Sequence, residues 1–289
     1  MPLSDGPAAT PRGRGKAAAG ALDAPAAAPS PPWLQLAIAG SAILLAGVAI
    51  LVILMSVPGG PWGPARGRDY PWHTGIVATT FWVGEEFDPS SPDGSQVVSA
   101  YDPRWMAHYG GCDGAIEGGA CVTERRSADN GFFPLHMTPK QNPFYLDLPF
   151  DDVNDRAAFL SRGTVIPWAA DLSPDVVADP DVSLMKNRWV RIRANGQTCY
   201  GQIEDAGPGT YDDAAYVFGS DDVRPASRRY NNAGMDVSPA LNGCLRFSEL
   251  DGQDDRVDWQ FVDAVDVPPG PWMRIVTGTD RSERETGAG

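Results

Sequence analysis

Histidine is scarce in this chain: three in 289 residues, at positions 73, 108 and 136, with no His-Glu-x-x-His or His-x-His spacing among them. Zinc chemistry therefore has no sequence support. No G-x-S-x-G elbow, P-loop or G-x-G-x-x-G followed by a helix occurs, which leaves serine-hydrolase and nucleotide sites without a signal. Cys112 and Cys121 are separated by eight residues, wider than a metal knuckle, and Asp251-Gly-Gln-Asp-Asp lacks the alternating ligands of a calcium loop. No metal and no cofactor are expected. Basic residues are also short, 23 Lys and Arg against 37 Asp and Glu, for a net charge of −14. A phosphate backbone needs a basic surface, so no nucleic-acid partner is expected, and anionic lipid headgroups fit no better. Carboxylates are what remain.

Charge disappears completely from Trp33 to Val57 (WLQLAIAGSAILLAGVAILVILMSV), 25 residues long. A helix of about 20 residues crosses a bilayer core. A cleaved signal peptide has a shorter apolar region and a small-x-small site, and neither is present. The segment reads as one transmembrane helix that the mature protein keeps. Residues 1–32, Ala-, Pro- and Gly-rich, read as a disordered cytoplasmic tail. Residues 58–72 read as a linker, and 277–289 as a flexible tail. All four cysteines (112, 121, 199 and 244) follow the apolar run, an even set suited to an oxidising compartment. The expectation is a single-pass protein of the cell membrane with its folded part, 73–276, periplasmic or extracellular.

The most informative stretch runs from Asn187 to Phe247. Two alternating runs, 189–194 and 197–204, flank Asn195-Gly196, a dipeptide suited to the positive φ angles of a type I′ hairpin turn. The pairing follows: Ala194 opposite Gln197, Ile192 opposite Cys199, Val190 opposite Gly201. Val190, Ile192, Cys199, Gly201 and Ile203 then share the face built for a core. The second run ends in Glu204-Asp205 before Ala-Gly-Pro-Gly. Further on, Met235-Asp236-Val237 is a short strand, with Ser238 as N-cap and Pro239 as first helical residue. Of the three connectivities open to four cysteines, Cys112–Cys121 and Cys199–Cys244 is favoured, since Cys199 lies on the core face and Cys244 in the helix expected to pack there.

Strand, Asn-Gly turn, strand, Glu-Asp-Ala-Gly-Pro, helix, then Gly-Met-Asp-Val-Ser before a second helix resembles the double-psi β-barrel of bacterial RlpA-like proteins, shared with expansins and family-45 endoglucanases. The match covers about sixty residues and a first strand at 74–83. The stretches NPFYLDLPFDD, SAYDPRWMAHYGG and VDWQFVDAVDVPPGPW resemble bacterial secreted or membrane-anchored proteins of that barrel. The implied fold is mainly β: a six-stranded double-psi β-barrel with short helices and a long irregular insertion at 84–186, preceded by the transmembrane helix. A closing strand is expected at 257–267, and 272–276 as an edge.

The resemblance implies a cell-wall glycan as partner. It matches Asp236 to the family's key acid and Asp205 to the Asp before its Gly-Pro turn. The position of the family-45 base is Val83, with Glu85 two residues on as a substitute on the same face. The His that RlpA-like enzymes carry before the strand of Trp189 is absent from Leu184-Met185-Lys186-Asn187. Among the aromatics, Trp82, Tyr101, Trp105 and Tyr200 are candidates to stack on sugar rings, although aromatics in such positions more often fill a core. Two functions stay open. One is a lytic transglycosylase or glycosidase using carboxyl acid–base chemistry; the other is a non-catalytic, expansin-like wall-binding or structural module.

Overall fold

The computed structural model describes residues 67–88, 94–250 and 254–278. The expected tails at 1–32 and, from 279, the C-terminus lie outside them. The membrane-crossing expectation is corrected: among the described residues no helix is long and apolar enough to cross a membrane, and 33–57 lies outside the described residues.

Six strands close into a barrel: β1 (His73–Thr80), β4 (Tyr145–Leu148), β5 (Trp189–Ala194), β6 (Gln197–Ala206), β7 (Met235–Val237) and β8 (Asp255–Val262). Their order around it is β1-β7-β4-β6-β5-β8. β1 runs parallel to β7, and β4 parallel to β6, while the remaining neighbours are antiparallel. A closed, mixed six-stranded barrel carrying two disulfides is consistent with the double-psi fold. A separate hairpin, β2 (Ala115–Glu117) with β3 (Ala120–Val122), stands outside it. The helices are short: α1 (Trp105–Tyr109), α2 (Arg156–Val165), α3 (Pro174–Ala178), α4 (Ala214–Phe218) and α5 (Pro239–Leu245).

The Asn-Gly hairpin forms with the pairing expected from its turn, Ala194 to Gln197, Ile192 to Cys199 and Val190 to Gly201. Asn195 and Gly196 both take positive φ, 50° and 73°. Val190, Ile192, Cys199 and Ile203 are fully buried. Ser238 caps α5 by accepting from Leu241 N–H (3.2 Å), with Pro239 in its first turn. The favoured cysteine pairing is the observed one, Cys112–Cys121 and Cys199–Cys244, the second joining the hairpin to α5.

The long insertion expected at 84–186 is corrected. Its Tyr145–Leu148 segment is a barrel strand seated between β7 and β6, and α1, α2 and α3 also lie within it. All four residues of β4 are buried, so no exposed face produced the alternation by which a strand is recognised. The edge expected at 272–276 is instead a 3₁₀ turn, Pro271–Met273. It lies over the outer face of the hairpin, where Trp272 packs on Tyr200 (centroids 5.0 Å) and Gln202 accepts from Thr277 N–H (2.9 Å). The outer face of the hairpin is therefore covered at Trp189, Tyr200 and Gln202, while Arg193 and Thr198 near the turn stay exposed. β8 stops at Val262, short of 267, because Ala264–Asp266 turns away as 3₁₀.

A carboxylate cluster on the barrel wall

Leu146 and Leu148 are core residues, so Asp147 between them points to the outer face of the barrel. The same alternation between Met235 and Val237 turns Asp236 outward. Across the ladder Asp147 stands opposite Asp236 on one side and opposite Asp205 on the other. The second pairing depends on a register shift between Leu146 and Asp147. A bulge of this kind re-aims one residue of a strand, and here it brings Asp205 rather than Glu204 level with Asp147. Three aspartates thus stand abreast on β6, β4 and β7.

Each has a distinct environment. Asp147 is buried and accepts from Asp236 N–H through Oδ1 (2.8 Å). Gly207 packs against it so closely that a Cβ there would stand 2.6 Å from Asp147 Oδ2. Asp205, also buried, accepts from Ala100 N–H (2.7 Å) and Ala206 N–H (2.8 Å). Asp236 keeps partial exposure as a residue, but its Oδ1 is buried and has no hydrogen-bond partner among the described residues.

Burial dominates all three carboxyls. It pushes Asp236 up to about 8, assisted by the negative charges of Glu85 and Asp205. Asp205 is pushed up to about 7 by burial, against the pull of the Ala100 and Ala206 amides. Asp147 is raised well above the usual carboxylate range by burial and then by the charges of Asp236 and Asp205. The helix dipole at α5, which would lower Asp236, is overridden.

Beside the cluster runs an open groove of about 1740 Å³, lined by Tyr101, Asp151, Asp205 and Tyr211 among others. Asp205 reaches it directly, whereas Asp147 and Asp236 are not among its lining residues. Tyr211 is 47% exposed, and burial of its hydroxyl followed by the charges of Asp147 and Asp205 pushes it up to about 12. The Tyr211 ring and the Asp205 carboxyl therefore both line the groove.

Of the sequence-derived candidates, Asp236, Asp205 and Glu85 come together electrostatically. Tyr101 lines the groove, its hydroxyl donating to Phe150 O (2.8 Å). Trp82 is half-buried and donates its indole N–H to Cys121 O (3.1 Å). Trp105 sits in a buried aromatic cluster with Phe81 and Tyr145, and Tyr200 is covered by Trp272. Both of these are packing residues here and neither lines the groove. Asp147 and Tyr211 were not singled out from sequence. The β4 run that carries Asp147 has no strand signature, and a lone Tyr after a Pro-Gly turn carries none either.

The raised carboxyls make stability fall as pH rises. The native state holds protons that the unfolded chain has lost above its ordinary value of 3.8. Their contribution is complete below that value and disappears as pH passes through about 7 and 8. Buried His73, pushed down to about 4 from 6.5, acts with the opposite slope between those values. The aspartate effect is therefore cleanest above pH 6.5, where chemical denaturation should show a loss on the order of 2 kcal/mol by pH 9. Asp147→Asn should flatten that slope and match wild type near pH 5. Equal slopes in the two proteins would remove Asp147 from the titration.

No protein-family model matches the chain, and no curated protein matches it.

Proposed function

We propose that this barrel is an extracytoplasmic, RlpA-like domain that cleaves a cell-wall glycan by carboxyl acid catalysis, with Asp236 as proton donor. The observation that supports this most is the alignment of Asp147, Asp205 and Asp236 across three adjacent strands, where burial raises all three above the ordinary carboxylate range, Asp236 to about 8. Glycosidic cleavage needs a proton delivered to the leaving oxygen, and a carboxylic acid held protonated near pH 7 supplies it. The neighbouring carboxyl is Glu85, whose charge raises Asp236. Tyr101 and Tyr211 offer ring faces for sugars along the groove, and the chain's negative charge suits a polymer without strong negative charge of its own. An oxidising compartment is supported by the two disulfides, with no free cysteine among the described residues.

The second reading, a non-catalytic glycan-binding module, is favoured by one feature: Asp205, Tyr101 and Tyr211 line the groove whereas Asp236 does not. Incubation with purified peptidoglycan separates the two. Soluble fragments should accumulate with time and protein concentration. Sedimentation with the insoluble wall but no fragment release would leave only the binding module.

A further inference from the structure

A second set of proton-handling groups, Asp102 and His108, lines the same groove from residues 94–104 and from α1. Hydrogen bonds fix the course of residues 94–104 beside the cluster. Gln96 N–H donates to Glu85 O (2.7 Å), Ala100 N–H to the Asp205 carboxylate (2.7 Å), and Met106 N–H to Val97 O (3.0 Å). Residues 94–104 thus form a strap bonded to both Glu85 and Asp205, with Asp102 two residues past Ala100 and His108 on α1.

Asp102 is buried, 3% exposed. His108 Nδ1 lies 2.7 Å from its Oδ2 and 2.9 Å from Oδ1, and Arg104 N–H donates to Oδ1 (2.9 Å). Lys186 Nζ stands 3.7 Å from Oδ2. Burial works to raise the Asp102 carboxyl, but the His108 bond, the Arg104 amide and the Lys186 charge hold it below the ordinary range. An ionised carboxylate only accepts, so the neutral imidazole must place its hydrogen on Nδ1, leaving the Nε2 lone pair free to act as a base. His108 lines the groove with its side chain 31% exposed. The other charged groups lining the groove are Arg104, Asp151, Asp155, Asp179, Asp181, Lys186, Arg188 and Asp205.

We propose that His108 is the proton acceptor of this groove and Asp102 its positioning residue, so that the site hydrolyses the glycan with water instead of closing the cleaved sugar on itself. The proposal rests on the glycan-cleaving reading above. As the water oxygen bonds to the anomeric carbon, the bond from that carbon to the leaving oxygen breaks. The water proton passes to His108 Nε2, and a proton from the aspartate cluster, which reaches the groove at Asp205, passes to the leaving oxygen. One reducing end and one free hydroxyl result, and both groups then exchange protons with solvent to start again.

Purified peptidoglycan digested in ¹⁸O-water tests this with wild type, His108→Ala, His108→Gln and Asp102→Asn. Each new reducing end should carry one ¹⁸O. Both His108 variants should lose about 10²- to 10⁴-fold in kcat/KM, together with the acid limb of the pH profile. Added imidazole should restore part of the His108→Ala rate, which a merely structural histidine would not allow. Asp102→Asn should lose less and move that limb. ¹⁵N NMR of the wild type should find neutral His108 protonated on Nδ1, and this holds even where a variant fails to fold. An Nε2–H tautomer, unlabelled anhydro ends, or turnover retained in His108→Ala each overturns the assignment alone. Absence of any wild-type turnover overturns the glycan-cleaving reading and this assignment with it.

Discussion

Asp236→Asn is expected to lower glycan turnover by about 10²- to 10⁴-fold while leaving the fold and wall binding intact, because general acid catalysis of this kind contributes that much. The substitution keeps the shape and the position of the side chain but removes the proton that the buried carboxyl retains up to about 8. The backbone bond from Asp236 N–H to Asp147 does not involve the altered atoms. Stability should follow the opposite course to activity: a neutral amide avoids the cost of ionising a buried acid, so the variant should equal or exceed wild type at pH 9 and match it at pH 5. Parallel assays of fragment release, wall binding and denaturation measure all three. A variant that loses stability at high pH, or that cleaves at the wild-type rate, would show Asp236 to be a support for α5 and nothing more.

Arg162→Ala should destabilise the domain by about 3–5 kcal/mol, the range for removing one partner of a buried ion pair. Arg162 lies on α2 with 1% exposure. Its guanidinium donates to the carbonyls of Val177 (2.9 Å), Asp152 (2.9 Å), Val182 (2.7 Å) and Asp179 (2.6 Å), and stands 3.7 Å from the Asp152 carboxylate. No other side chain could reach four carbonyls in that geometry, since the donors come from one planar fork. Asp152 in turn accepts from Ser183 Oγ (2.6 Å) and Leu184 N–H (2.5 Å), and burial pushes it up to about 6. Removing the guanidinium leaves carbonyls without donors and a carboxylate without its cation. The segment held this way contributes Val176, Val182 and Leu184 to the groove wall, so its loosening should also weaken wall binding. Urea denaturation gives the energy, and hydrogen exchange over 174–184 locates it. Adding Asp152→Asn to Arg162→Ala should recover part of the loss. A cost below 1 kcal/mol would mean that solvent replaces these bonds without difficulty.

Local signals in the sequence determined a good part of the barrel. Asn195-Gly196 fixes the hairpin register because only a few residue pairs tolerate two successive positive φ angles, and the register decides which residues face inward. Ser238-Pro239 marks the start of α5 for an equally local reason, a side-chain oxygen meeting an unpaired amide three residues on. The disulfide between Cys199 and Cys244 follows from those two assignments together. Tertiary structure alone decided the rest. β4 is four residues long and buried throughout, so nothing in its own sequence separates it from a loop, and its partners on β6 and β7 are more than fifty residues away. The level of Asp147 with Asp205 depends on a register shift, and its level with Asp236 on the meeting of two distant strands. The protonation of that cluster depends on burial beneath Gly207 and the strap around Ala100. A carboxylate in a sequence has only its ordinary affinity for a proton; the neighbours that exclude water and add charge are supplied by packing, from parts of the chain that no local pattern connects.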